Sequence, residues 1–186
     1  PGGTNRYETS YGVKQKIDID NPSLVSLRDV RLKLMKEQMV KDPAVKLKLA
    51  SNYASVANYW KFFDGETRQL KKFRTYEEKQ SYENKFAAWA KGKAEYENIF
   101  TDYAKNYDTW RPYSKARVYL NEGILGSPLA AYASTLVKLE ADMVKTGVSS
   151  ADMKKSLDAA AEARKKYLED ANRPSDEKIV AAVTQM

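Results

Sequence analysis

The stretch from Asp42 to Gly65 reads DPAVKLKLASNYASVANYWKFFDG and decides the fold class of this chain. Asp42 can cap a first helical turn, and Pro43 suits the first position of a helix. The apolar residues that follow recur at steps of four and three, which places them on one helix face; they are Leu49, Tyr53, Val56, Trp60 and Phe63. The stretch therefore predicts an amphipathic helix that begins at Pro43, with Gly65 as its expected end.

A second run of apolar residues has the same spacing but is aromatic. Thr75-Tyr-Glu-Glu78 has the form of a capping box at a helix start. The aromatic positions after it are Tyr82, Phe86, Trp89, Tyr96, Phe100, Tyr103 and Tyr107. Their spacing predicts one long helix over 76–107 that packs on a bulky neighbouring surface. We expect Trp110-Arg-Pro112 to end this run, because proline cannot continue the hydrogen-bond ladder.

The rest of the chain divides into an irregular start and a helical remainder. Turn-forming residues are frequent in 1–22, for which we expect an irregular lead-in loop, whereas 23–186 carries helical signals. Ser23, Ser127 and Ser149 can each cap a helix. No convincing strand pattern follows the first thirteen residues. The sequence thus predicts an all-α fold, a bundle of long antiparallel helices with short connections.

The composition excludes several kinds of chemistry. The 186 residues include no histidine and no cysteine, so the chain alone cannot run a Ser-His-Asp triad, bind a metal through thiolates or form disulfides. Carboxylates on helices, such as Glu77 with Glu78, are best read as solvated charges, and no glycine-rich phosphate loop is present. We therefore expect no catalytic residue, no metal and no cofactor in this chain. No apolar run is long enough to span a bilayer.

Three segments carry a family resemblance. Pro1–Ser10 has the form Pro-Gly-x-Thr-Asn-Arg-Tyr-x-Thr-Ser, and Ser-x-x-Asn-x-Trp-Lys follows at Ser55 to Lys61. The stretch DANRPSDEK from Asp170 is a weaker match, in which Arg173 departs from the expected form. In this order the segments resemble the helical domain of the bacterial dipeptidyl-peptidase 7/11 family of serine peptidases.

The resemblance implies an architecture and an activity. In that family a chymotrypsin-like double β-barrel carries the catalytic His, Asp and Ser. The helical domain is inserted in the barrel sequence, covers the active-site cleft and binds the free amino terminus of the peptide. By resemblance, this chain is the substrate-capping helical domain of a serine dipeptidyl aminopeptidase and is not expected to be active alone.

Asn58 is the residue that matches the family's amine-binding asparagine. Its amide oxygen can accept a hydrogen bond from an ammonium group. Asn52 is the alternative, and Trp60 is expected to support the site without touching the peptide. From the residues alone, a solvent-facing or backbone-bonded side chain remains the simpler interpretation of Asn58, which lies off the apolar face of its helix.

The resemblance also implies partners and a location. The partners are the peptide substrate and the catalytic barrel of the same polypeptide, in a full-length enzyme that forms a homodimer. The location is the periplasm or cell surface of a Gram-negative bacterium. Because the chain starts without Met, we expect a fragment. Because the helical domains of that family run further, we expect it to be truncated at its C-terminal end. Specificity at the residue before the cleaved bond, acidic or hydrophobic, stays open because the barrel largely builds that pocket.

Two other functional classes remain open on the sequence. The first is a stand-alone helical protein–protein interaction module that docks a partner through the 76–107 helix. The second is a nucleic-acid binder, suggested by the net charge of +7. Lysines and arginines are interleaved with 25 acidic residues, which favours ordinary solvated helix faces, and we expect no nucleic-acid partner.

Overall fold

The computed structural model of the protein describes residues 7–185, and every regular element in that range is helical. The all-α prediction is thereby confirmed. In chain order the elements are α1 (Ser10–Gln15), a first π-helical segment (Lys16–Asp20), α2 (Asn21–Lys41), α3 (Pro43–Lys72), α4 (Thr75–Ala90), α5 (Ile99–Val118), a second π-helical segment (Tyr119–Leu125), α6 (Pro128–Val144), α7 (Ser150–Glu169) and α8 (Arg173–Val183).

The described residues form two compact units. The first contains 7–26 and 58–118, and the second contains 27–57 and 119–185. None of the described helices is long and apolar enough to cross a membrane.

Three predicted helix starts are confirmed by their capping hydrogen bonds. The Ala44 amide donates to Asp42 Oδ1 at 2.7 Å, so Asp42 caps α3. Ser127 Oγ accepts from the Ala130 amide at 3.0 Å, and Ser149 Oγ accepts from the Asp152 amide at 3.1 Å. Each of these side chains satisfies a first-turn amide that has no partner within its helix.

The apolar face predicted on α3 is also present. Leu49 and Val56 are buried, and Tyr53, Trp60 and Phe63 are half-buried. The expected end at Gly65 is wrong, because α3 continues to Lys72. A glycine inside a helix costs only about 1 kcal/mol relative to alanine, which the surrounding helix can absorb.

The irregular lead-in expected for 1–22 is wrong from Ser10 onward. Thr9 caps α1 by accepting from the Gly12 amide at 3.3 Å. The helical path then passes through the first π-helical segment, in which the Asn21 amide donates to the Lys16 carbonyl five residues earlier. This wider turn accommodates Pro22, which has no amide hydrogen to donate. The helix therefore continues through Ser23, which is a buried residue inside α2 and not its cap. Residues 1–6 of the Pro1–Ser10 motif lie outside the described residues.

The single helix predicted over 76–107 is wrong, because α4 ends at Ala90 and α5 begins at Ile99. Gly92 has φ of +76°, a left-handed conformation that glycine adopts without steric cost. The aromatic rings instead meet across the break: Phe86 lies 6.4 Å from Tyr96 and 5.7 Å from Phe100 between ring centroids. The regular spacing of the aromatic residues is therefore compatible with a chain that turns between Ala90 and Ile99.

Two further local predictions fail in the same region. Thr75 is the first residue of α4, and the capping position belongs to Arg74, whose φ is +52° and whose side chain makes no capping bond. Pro112 lies inside α5. It removes one ladder hydrogen bond without ending the helix.

The first unit is held together by contacts of α1 with α4 and α5. The Ser10 amide and hydroxyl both donate to the Glu83 carboxylate, the amide at 2.6 Å. The Tyr11 ring stacks against Tyr103 and Tyr107, with both centroid distances at 6.0 Å. Part of the predicted aromatic face of α5 therefore packs on α1, a segment for which the sequence predicted no helix.

In the second unit, α6 and α7 form an antiparallel hairpin. Ser156 donates to Asp142 near the connecting turn, and Tyr132 stacks on Tyr167 farther from it, with ring centroids 5.6 Å apart. The residue numbers in these pairs run in opposite directions, as an antiparallel pair requires. Gly147, with φ of +81°, lies in the connection.

The core of the second unit brings α2, α8 and the second π-helical segment together. Leu27, Ile179 and Val183 are buried, and Leu34, Tyr119 and Ile124 pack against them. Gly123 is also buried here, and a Cβ atom at this position would lie 2.6 Å from Val183 Cγ1. The close approach of α8 to this segment therefore requires glycine.

Asp176 on α8 caps the start of α6, since its Oδ2 accepts from the Leu129 amide at 2.9 Å. Asp176 is only 6% exposed. Burial raises the pKa of its carboxyl group above the usual value, although the Leu129 amide and Arg31 favour the charged form. A group that binds its proton more tightly in the folded state stabilises the fold fully below its unfolded pKa. That contribution is lost as the pH rises through the folded pKa.

We expect Asp176→Asn to remove this pH dependence, because the amide oxygen can still accept from Leu129 and has no charge to bury. The difference in free energy of unfolding, wild type minus variant, should fall as the pH rises from about 4, the usual pKa of an aspartate, through the raised folded pKa, by about 1.4 kcal/mol for each unit of raised pKa. Urea unfolding at a series of pH values measures this difference. Two parallel curves over that range would contradict the assignment to Asp176.

Candidate functional site

The candidate site lies on α3 around Asn58. The Asn58 side chain is exposed, and among the described residues no hydrogen bond to its amide is formed. Phe62 lies one helical turn later on the same face and is 58% exposed. The site therefore presents a free amide oxygen and an exposed aromatic ring side by side.

Further aromatic rings adjoin this face. Phe62 meets Phe63 edge to face with centroids 5.1 Å apart, and Tyr59 stacks on Phe63 at 6.4 Å. Because Phe63 is half-buried, it anchors the two exposed rings. A polar group that fixes orientation, set among aromatic side chains, is the usual composition of a small-ligand or peptide site.

Trp60 faces away from the exposed amide. It belongs to the apolar face of α3 and is half-buried, and its indole Nε1 is buried without a hydrogen-bond partner within residues 7–185. Its expected role as a support of the Asn58 site is compatible with this placement and stays a prediction.

Asn52, the alternative amine-binding residue, is already engaged. Its Nδ2 donates to Asn172 Oδ1 at 3.0 Å, and Asn172 in turn donates its backbone and side-chain amides to Asp170 Oδ1 at 2.7 and 3.1 Å. This network joins α3 to the turn between α7 and α8. Half-buried Asn52 therefore has a structural role, although its amide oxygen remains an acceptor.

Among residues 7–185, the structure shows no cluster of acidic side chains suited to metal-based catalysis around Asn58. Over residues 7–185, no three Asp or Glu side chains lie close enough together to hold a metal ion. What the arrangement offers chemically is one hydrogen-bond acceptor on a rigid helix, which suits binding and positioning of a donor group.

The family of this chain is shown by comparison with known proteins. The profile of the family described as Peptidase S46 matches residues 1–186, and the chain belongs to that family. The resemblance to dipeptidyl-peptidases 7 and 11 is thereby confirmed.

Some curated relatives are named Asp/Glu-specific dipeptidyl-peptidases, and others are named dipeptidyl-peptidase 7. The chain is 35% identical over 184 residues to an Asp/Glu-specific dipeptidyl-peptidase of Flavobacterium psychrophilum, covering 96% of this chain and 25% of that protein. It is 37% identical over 141 residues to a dipeptidyl-peptidase 7 of Capnocytophaga gingivalis, covering 74% of this chain and 20% of that protein. The chain thus spans about a quarter or less of the length of these curated relatives.

Proposed function

We propose that this chain is the substrate-capping helical domain of a serine dipeptidyl peptidase that releases dipeptides from peptide amino termini. The observation that carries the proposal is Asn58 of α3, whose exposed amide has no hydrogen-bond partner among residues 7–185, in a chain of the Peptidase S46 family. Its oxygen would accept a hydrogen bond from the α-ammonium group of the peptide, and the rings of Tyr59 and Phe62 would flank the bound residues.

In this proposal the helical domain contributes positioning and not bond breaking. An ammonium group held at a fixed place selects which peptide bond reaches the nucleophile. The sequence has no histidine, so the general base of the acyl transfer belongs to a chymotrypsin-like barrel elsewhere in the polypeptide. Location in the periplasm or at the cell surface, and a homodimeric full-length enzyme, are supported by the family resemblance alone.

The competing interaction-module hypothesis loses its main support. It relied on one continuous helix over 76–107, and that helix is interrupted between Ala90 and Ile99. No other observation favours it over the peptidase proposal.

The proposal is tested with the product of the complete reading frame and a pair of peptides that differ only in their amino terminus. We expect dipeptides to be released from the peptide with a free amino group, and no release from its acetylated counterpart, as followed by mass spectrometry. Acetylation removes the positive charge and two donors, so the contact with Asn58 is lost. Equal cleavage of both peptides would overturn amino-terminal capture.

A further inference from the structure

A second polar site lies within the first unit, away from Asn58. It is a cleft of about 400 Å³ between the α1 end of the chain and α5. Gln15 lies in its wall, and we refer to it as the Gln15 cleft. Glu8, Lys16 and Asp20 line one side, and Tyr107 and Trp110 line the other.

Gln15 provides the first evidence that the cleft is built to bind a hydrogen-bond donor. The residue is only 4% exposed, and its Oε1 is buried without a partner among the described residues. Its Nε2 donates to Asp20 Oδ1 at 3.1 Å, which fixes the orientation of the side chain. A buried acceptor without a donor is costly, and a donor placed in the cleft would remove that cost.

The backbone around Gln15 provides the second line of evidence. Lys16 and Asp20 are the first and last residues of the first π-helical segment, and both line the cleft. Single π-helical turns within α-helices are frequent at functional sites. Ser114 on α5 donates to Asp20 Oδ1 at 2.5 Å, so both bonds fall on the same oxygen and Oδ2 remains able to accept.

The charges of the cleft indicate a cationic occupant. Of the residues that line the cleft, Glu8 and Asp20 are acidic and Lys16 is basic. Lys16 is also shared with Glu66: its Nζ lies 3.2 Å from Glu8 Oε1 and 3.6 Å from Glu66 Oε1. Burial, together with the charge of Glu8, raises the pKa of the Tyr107 hydroxyl, as expected in a region of negative potential.

The aromatic residues that line the cleft also favour a cationic ligand. Tyr107 and Trp110 line the cleft, and aromatic rings attract cations. One ring contact of this kind is already present, with the Arg117 guanidinium 5.2 Å from the Trp110 ring. Gly12 also lines the cleft, and a Cβ atom there would clash with Glu8 Oε2 and lie 3.1 Å from the Tyr107 hydroxyl. The glycine thus lets an acceptor and a ring hydroxyl converge.

We propose that the Gln15 cleft binds an organic cation with several N–H donors, a guanidinium or primary ammonium group of the kind carried by arginine and lysine side chains. The cation donates to Gln15 Oε1 and Asp20 Oδ2, and it neutralises the excess carboxylate. It comes either from a free peptide ligand or from a basic side chain elsewhere in the same polypeptide. This inference does not depend on amino-terminal capture at Asn58.

The test uses hydrogen exchange measured by mass spectrometry on the product of the complete reading frame. The probe is Nα-acetyl-arginine N-methylamide, which has no free amino terminus, and the matched neutral control is Nα-acetyl-citrulline N-methylamide. At about ten times its dissociation constant, the arginine probe should slow exchange about tenfold in fragments covering 10–20 and 103–115. The citrulline probe should have no effect.

Variants identify the residue and the source of the cation. Gln15→Met should abolish the probe effect, whereas Gln69→Met, at an exposed glutamine of α3, should keep it. If a basic side chain of the same polypeptide already fills the cleft, the probe will have no effect, Gln15→Met will speed exchange of the same fragments, and Gln15→Glu will slow it.

Three results would overturn the proposal. The first is equal protection by the arginine and citrulline probes. The second is protection by the arginine probe that persists in Gln15→Met. The third is no probe effect together with faster exchange in Gln15→Glu, as expected of a carboxylate buried beside Asp20 with no cation.

Discussion

Replacing Asn58 by alanine is expected to lower kcat/KM for dipeptide release by about tenfold to a hundredfold in the product of the complete reading frame. A hydrogen bond to a charged group contributes about 1.5–3 kcal/mol, and the ammonium would lose such a bond. Asn58 is exposed and has no structural hydrogen bond within the described residues, so the variant should keep the stability of the wild type. Steady-state kinetics and thermal unfolding measure the two quantities separately.

The chain offers matched controls for this experiment. Asn84→Ala removes an exposed asparagine from α4 and should leave kcat/KM unchanged. Asn58→Asp keeps an oxygen acceptor and adds a negative charge, so it should retain activity on peptides with a free amino terminus. Wild-type kinetics in Asn58→Ala would remove Asn58 from the site while leaving the family assignment intact.

Asn52 provides a contrast, because its side chain has a different environment. Its amide is hydrogen-bonded to Asn172 in the turn before α8. A substitution there acts first on that network, so a loss of activity at Asn52 accompanied by a loss of stability would not identify a substrate contact. The separation of activity from stability is therefore the property that distinguishes Asn58 from its alternative.

The sequence predicted the helical class and several helix starts because these depend on local interactions. Asp42, Ser127 and Ser149 each satisfy amides within three residues, and the apolar face of α3 needs only the helical repeat. Such features are encoded within one or two turns of chain. They were predicted correctly at residue level.

The errors occurred where distant residues or unusual backbone decide the structure. The helix over Ser10–Gln15 is held in place by Glu83 and by the rings of Tyr103 and Tyr107, which are far away in sequence. The left-handed residues Arg74 and Gly92 redirect the chain without disturbing the aromatic spacing. Periodicity reports which face is apolar, but not whether the helix between two apolar residues is continuous.

For the same reason, the Asn58 site could be predicted from the sequence and the Gln15 cleft could not. Asn58 could be singled out because its motif matches a family and it departs from the apolar face of α3. No sequence pattern marks Gln15. Its burial, the π-helical turn and the position of Asp20, which accepts from both Gln15 and Ser114 of α5, are visible only in the folded structure. Because Gln15 lies among turn-forming residues, the sequence predicted that it belongs to an irregular loop.

Leu27→Ala should cause a large loss of stability in the second unit, about 2–5 kcal/mol in free energy of unfolding. The side chain is fully buried, among Ile179, Val183 and partly buried neighbours. Truncation removes apolar contacts and leaves a cavity that a close-packed core only partly refills. Leu47→Ala is the matched control, because Leu47 is 80% exposed and should change stability by at most about 0.5 kcal/mol. Urea unfolding of both variants measures the difference, and equal values would contradict the assigned core.

The source of this loss can be checked at Gly123, which faces the same core. An added Cβ would lie 3.2 Å from Leu27 Cδ1 and 2.6 Å from Val183 Cγ1, so Gly123→Ala alone should destabilise by about 1–3 kcal/mol through overpacking. In the Leu27→Ala background, Val183 can move into the vacated space, and the same methyl group then fills part of the cavity. The double variant should therefore lose less stability than the sum of the single variants, by about 0.5–3 kcal/mol. Strict additivity would mean that Leu27 and the second π-helical segment do not share one packed core.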